Sequence, residues 1–143
     1  MKTYKVNAQK DIDKFNDEFG YRIKGNLYIE CSLNLKGSLL VEGYLFVAKN
    51  SLVKIETYID VEEYMEIIGS IETGGSIKVW KWIESKGSIE AINSIKCGGI
   101  VYANNSLFTD SYIRCGGSIE TGMSYGISAG NSILCKSNIR DSR

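Results

Sequence analysis

Three consecutive blocks of eighteen residues carry nearly the same message. Residues 69–86 read GSIETGGSIKVWKWIESK, residues 87–104 read GSIEAINSIKCGGIVYAN, and residues 105–122 read NSLFTDSYIRCGGSIETG. Each block is itself three hexads, with a large aliphatic residue every six positions and a second inward residue two places later. A unit this short cannot bury an apolar face alone, so successive copies must stack. Residues two apart share a face only on a strand, so the stacked unit is β-structure, with Gly, Asn and Ser at the corners.

The register can be followed from Leu27 through Leu33, Leu39 and Leu45 to Ile139. Only the steps Leu45 to Val53 and Ile119 to Ile127 are longer, each by two residues. Gly69-Ser70-Ile71-Glu72 returns as Gly87-Ser88-Ile89-Glu90, so three hexads make one coil. With first, second and third faces starting at Leu27, Leu33 and Leu39, both insertions fall at the corner between the first and second faces, at Lys49-Asn50 and Met123-Ser124. A wrong register would not place them together. The expected fold class is all-β: a single-stranded parallel β-helix (β-solenoid) over residues 25–143, with three short strands per coil. It has about six coils, each rising about 4.8 Å.

Residues 1–24 depart from the repeat and read as an N-terminal cap, a strand followed by an amphipathic helix over residues 8–19. Ile12, Phe15 and Phe19 lie on one helical stripe, Asn7 is the candidate N-cap and Gly20 the stop signal. Such a cap covers the unpaired edges of a first coil. At the other end Ile139 is followed only by Arg140-Asp141-Ser142-Arg143, too short to close a coil, so a frayed end or a second molecule is expected there. The absence of proline suits coils in which every N–H is needed for pairing. The 143 residues hold 17 basic and 17 acidic side chains, which gives no electrostatic pull toward nucleic acid or anionic lipid. With no apolar run long enough to span a membrane and no secretory leader, the expected location is cytoplasmic.

The hexads, clearest from Gly69 to Gly122, resemble those of bactofilins, bacterial polymer-forming cytoskeletal proteins. The matching stretch runs from about Gly25 to Ile139. The resemblance implies a right-handed β-helix that is non-catalytic and assembles end to end, although an N-terminal helix would obstruct one of the two ends. The left-handed β-helix of hexapeptide acyltransferases fits less well, because there the small inward residue precedes the next aliphatic by two, whereas in Ile95-Lys96-Cys97 it follows. Those enzymes also resemble one another in using a histidine base, and this chain contains no histidine. The same lack removes Ser-His triads, Cys-His pairs and zincin motifs, so no catalytic residue is assigned. Asp60, Asp110, Glu62 and Glu63 read as solvated corner charges rather than the acidic cluster of a polysaccharide lyase or hydrolase.

Cys97, Cys115 and Cys135 share one inward position of the third face, continuing Val41, Val61 and Val79 as small core fillers. Neighbours in such a column lie near disulfide range. Four cysteines without a leader nevertheless point to reduced thiols, and the C-x-x-C spacing of a zinc site is missing. No metal or cofactor is expected.

Functional signal is therefore confined to outward positions. On or beside the first face run Tyr28, Tyr44, Phe46, Tyr64, Ile68, Trp82, Ile100 and Tyr102, an apolar stripe that predicts a protein–protein contact, most simply a homo-oligomer. Stacked rings along a ladder also stabilise the solenoid itself. The third face carries Lys78, Lys96 and Arg114, one per coil, flanked by Tyr58, Trp80 and Tyr112. Like charges about 5 Å apart repel unless neutralised, by the Glu72 and Glu90 column around the corner, by salt or by an anionic partner. These residues are the candidate anion-binding set. The readings are thus a non-enzymatic self-associating solenoid of bactofilin type, a small adaptor or inhibitor module presenting the stripe, and, lower, a single-stranded nucleic-acid or anion binder.

Overall fold

The computed structural model describes residues 1–122, 126–135 and 139–141. Its strands stack as three sheets, one per face of the coil, parallel throughout except for the antiparallel pairing of Asn16–Asp17 at the start of the third. The first face has eight strands, from Thr3–Val6 to Ile139–Asp141; the second has six, from Leu33–Leu35 to Gly126–Ala129; the third has eight, from Asn16–Asp17 to Ser132–Cys135. Residues of successive coils lie in register: Met65 between Leu45 and Ile83, Ile71 between Val53 and Ile89, Ile77 between Ile59 and Ile95. The molecule is a β-solenoid of about six complete coils repeating every 18 residues or so.

Alternation does the building. Within Ile77–Val79 the burial runs buried, exposed, buried, and the same pattern holds in Ile95–Cys97, so each of these strands sends two side chains inward and one to water. The expected insertion at Lys49-Asn50 is a corner turn in which Asn50 takes φ 63°, a left-handed conformation that asparagine tolerates. Met123-Ser124 lies outside the described residues, but the strands on either side keep register, Ile119 with Val101 and Ile127 with Leu107.

The core changes character along the axis. The second inward positions are Ile29, Leu35 and Val41, then Val47, Ile55 and Val61, in the coils nearer the N-terminus, and Ser85, Ala91 and Cys97, then Ala103, Thr109 and Cys115, further on. Buried hydroxyls there turn to corner carbonyls: Thr73 Oγ1 donates to Thr57 O at 2.5 Å, Ser85 Oγ to Gly87 O at 3.0 Å, and Thr109 Oγ1 to Asn93 O. Among the described residues no buried side-chain N or O lacks a partner, so these polar positions escape the penalty of unsatisfied burial. They still forgo about 0.8 kcal/mol for each methylene a larger aliphatic would have buried.

The N-terminal segment departs from expectation in two ways. The helix covers only Gln9–Asp13, not 8–19, and Ala8 rather than Asn7 is its N-cap. Asp11 Oδ2 accepts the backbone N–H groups of Asn7 and Ala8 at 3.0 and 3.1 Å, which fixes the helix start. Asp17 Oδ1 takes the N–H of Phe19 at 2.8 Å, and Asn16–Asp17 then pairs antiparallel with Tyr21 and Gly20. This local turn chemistry displaces the helical stripe, so Gly20 (φ 126°) begins a strand and Phe19 is left 67% exposed. Ile12 is fully buried, and Phe15 packs edge-on against Tyr4 at 5.0 Å.

The cap is also not separate from the stack. Thr3–Val6 pairs in parallel with Asn26–Ile29, and Gly20–Ile23 with Ser38–Val41. Residues before 25 thus supply two sides of a preceding coil, and the helix takes the place of the third. Its Gln9 Oε1 accepts the N–H of Asn34 at 3.1 Å, a donor at the free edge of the second-face sheet. Gln9→Ala is expected to lower stability by about 1 kcal/mol and to speed amide exchange at Asn34 more than at Ile71, as hydrogen-exchange mass spectrometry or NMR can resolve. At the opposite end, Gly126–Ala129, Ser132–Cys135 and Ile139–Asp141 have no further strand paired to them among the described residues.

Candidate functional site: an aromatic corner and two charge ladders

Where the third face turns into the first, the residues before the four successive first-face strands that start at Leu45, Met65, Ile83 and Val101 are Tyr44, Tyr64, Trp82 and Ile100. The carbonyls of Tyr64, Trp82 and Ile100 each accept an N–H from the coil before, at 3.0 Å from Leu45, Met65 and Ile83. That ladder holds the side chains in line: the rings of Tyr44 and Tyr64 lie 5.1 Å apart at 17°, and those of Tyr64 and Trp82 4.3 Å apart at 5°. Burial, and then the neighbouring Tyr44, raise the Tyr64 phenol above its ordinary pKa.

One coil beyond Trp80-Lys81 come Gly98-Gly99, followed a coil later by Gly116-Gly117. A Cβ on Gly98 would overlap the Trp80 carbonyl oxygen, so the backbones approach as only glycine allows. Gly98 and Gly99, without side chains, border a shallow groove of about 770 Å³ that is lined by Trp80, Trp82, Ile100 and Tyr102 with Lys81 and Glu84. Trp80 is 56% and Ile100 49% exposed, while Lys81 is held by an ion pair to Glu63.

The eight stripe residues therefore fall into three groups rather than one continuous band. Tyr44, Tyr64, Trp82 and Ile100 form the corner column. Tyr28 and Phe46 stack at 4.4 Å on the first face itself, but Glu66 and Glu84 separate them from Tyr102 in the same ladder. Ile68 is half-buried just beyond Met65–Ile67, at the other edge of that face. Trp80, assigned from its strand to the third face, opens into the same groove as Trp82. The clue was in the sequence: Gly98-Gly99 stands eighteen residues after Trp80-Lys81.

On the third face Asp60, Lys78, Lys96, Arg114 and Leu134 form one outward ladder. Lys78 Nζ lies 4.3 Å from the Trp80 ring centre, and Lys96 and Arg114 lie 5.8 and 5.3 Å from that of Tyr112. Of the three rings flanking the ladder, Trp80 and Tyr112 are thus engaged by cations and Tyr58 is 45% exposed. The Ser94 hydroxyl and then the Lys96 ammonium lower the Tyr112 phenol, and the Trp80 indole N–H donates to Asp60 at 3.0 Å. The Glu72–Glu90 column does not neutralise the ladder: among the described residues the ion pairs are Lys5–Glu30, Arg22–Asp17 and Lys81–Glu63. Glu72 and Glu90 instead stack on one another in the second-face ladder, between Lys54 and Phe108.

Inside, Cys97 pairs in register with Cys115, and Cys115 with Cys135. All four cysteines are free thiols. Cys97 Sγ faces the carbonyls of Lys81 and Ile100 at 3.5 and 3.6 Å, and burial pushes its pKa up to about 11. Burial also raises Cys115, with a smaller push from Cys135, and raises Cys31, where Asp11 adds to it. Among the described residues no three His, Cys, Asp or Glu side chains converge as a metal ion requires, and no helix is long and apolar enough to cross a membrane. The chain matches no protein-family model, and no curated protein and no solved structure matches it.

Proposed function

We propose that this chain is a non-enzymatic, self-associating solenoid, a structural element of bactofilin type that works through its sides. The observation that carries this reading is the aromatic corner, an in-line column from Tyr44 to Ile100 that opens into the groove beside Trp80. Half-exposed tryptophan and isoleucine around an apolar groove are the composition of an association surface. A second copy related by a two-fold axis meets such a corner with its own, which is the economical closed arrangement. The N-terminal end supports sideways contact over end-to-end growth, because the helix Gln9–Asp13 and the antiparallel strand Asn16–Asp17 occupy positions where a preceding coil would have to pair.

Trp80→Glu combined with Ile100→Glu tests this reading. Both side chains are about half exposed, so the change is expected to lower the oligomeric mass in sedimentation velocity, with stability falling by about 1–2 kcal/mol through the lost contacts of Trp80 with Asp60 and Lys78. Trp82→Glu should lower both, since it also loses the stack with Tyr64, worth about 0.5–1.5 kcal/mol. A wild-type chain that stays monomeric across the concentration range overturns self-association and leaves the adaptor or inhibitor reading in its place.

A further inference from the structure

The second and third faces carry opposite charges coil by coil. Along the second-face ladder the outward residues are Lys54, Glu72, Glu90 and Phe108. Six residues further on in each coil, the third-face ladder presents Asp60, Lys78, Lys96 and Arg114. Three of the four rungs thus carry opposite charges on the two faces at the same height: Lys54 and Asp60, Glu72 and Lys78, Glu90 and Lys96. Phe108, 39% exposed, stands level with Arg114, a cation–π combination. Within the molecule these complements do not meet, for no ion pair joins the two ladders among the described residues. Each ladder is left with like charges stacked at the coil spacing of about 4.8 Å, an unfavourable arrangement.

We propose that the third face of one copy docks on the second face of another, with the two solenoids parallel and in coil register. All coils rise by the same spacing, so one ionic match at a given height brings the rest into place. Orientation follows from the sign pattern. An antiparallel copy that set Glu72 and Glu90 against Lys96 and Lys78 would bring Lys54 against Arg114 and Phe108 against Asp60, whereas the parallel arrangement has no like-charge encounter along the four rungs. Because the two surfaces differ, the contact is heterologous and leaves a free donor and acceptor face on every pair, so further copies can add sideways. This contact goes beyond the aromatic corner proposed above. It is ionic where the corner is apolar, so added salt separates the two.

The test uses the full chain and two charge-reversed variants, Lys78→Glu with Lys96→Glu, and Glu72→Lys with Glu90→Lys. Each variant alone sets like charges against like and is expected to weaken the salt-sensitive association by at least about tenfold. Mixed together they restore it, because the acidified third face of the first fits the basified second face of the other. Independently of the variants, wild-type mass in sedimentation velocity should fall as sodium chloride rises from about 0.05 M to about 0.5 M. Ile100→Glu alone, a groove residue outside the third-face ladder, should leave that salt-dependent component in place, so failure of the corner and failure of the ladders are told apart. Wild-type association indifferent to salt, a single variant that associates like wild type, or folded variants that stay apart on mixing would each overturn the proposal.

Discussion

Aspartate in place of Ile77 is expected to leave the chain largely unfolded at neutral pH. Ile77 is fully buried at the middle of the stack, between Ile59 below and Ile95 above. Removing its side chain as Ile77→Ala should already cost about 2–5 kcal/mol, the lost burial plus the cavity left behind. A carboxylate at the same site adds the cost of an ionised group with no buried cation within reach, and the total rivals the whole stability of an ordinary domain, about 5–15 kcal/mol. The pH dependence has a definite sign. Desolvation raises the introduced carboxyl's pKa in the folded state above its unfolded value, so the variant is most stable in acid, below the unfolded value of about 3.9, and loses stability as pH rises through the folded one. Circular dichroism of Ile77→Asp against Ile77→Ala, at acid and neutral pH, checks this; an aspartate variant as stable as the alanine variant at neutral pH would refute the closed core.

The second large effect is chemical. A thiol pushed up to about 11 by burial holds about a hundredfold less thiolate near neutrality than an ordinary cysteine, and the thiolate is the nucleophile. Native Cys97 should therefore react with a maleimide at least about a hundredfold more slowly than in denaturant, as mass spectrometry of the labelled chain can show. Fast labelling of Cys97 in the folded chain would mean that the column between Val79 and Cys115 is open. The same shift links stability to alkali. Because the folded pKa lies above the ordinary value of about 9, the stabilisation from keeping Cys97 protonated is complete below about pH 9. It is lost as pH climbs through about 11, an effect of about 2–3 kcal/mol.

What could be read from the sequence was whatever repeats. Gly69-Ser70-Ile71-Glu72 recurring at Gly87 fixes three strands per coil, and the structure pairs Ser70 with Ser88 and Ile71 with Ile89 accordingly. The cysteine column and the Lys78, Lys96 and Arg114 ladder follow from the same arithmetic. Residues 7–23 escaped it because a single passage of sequence has no copy to calibrate it. There, three apolar residues at helical spacing competed with the Asx turn at Asp17, and the turn, closed by a side-chain hydrogen bond, prevailed. The groove escaped for another reason. Alternation assigns a side chain to one face or the other, but Trp80 and Trp82 belong to a corner, and the space between them is made by what Gly98 and Gly99 lack.

The thinning of the core from Ile29, Leu35 and Val41 to Ala103, Thr109 and Cys115 gives the rod a direction. In a linear array each coil is held mainly by its two neighbours, so a melting front starts where the interfaces are weakest and advances toward where they are strongest. Heat or denaturant is therefore expected to open this molecule first from the coils around Ala103 to Cys115, while the tightly filled coils around Leu27 to Val61 persist as a seed on which the remainder can wind back.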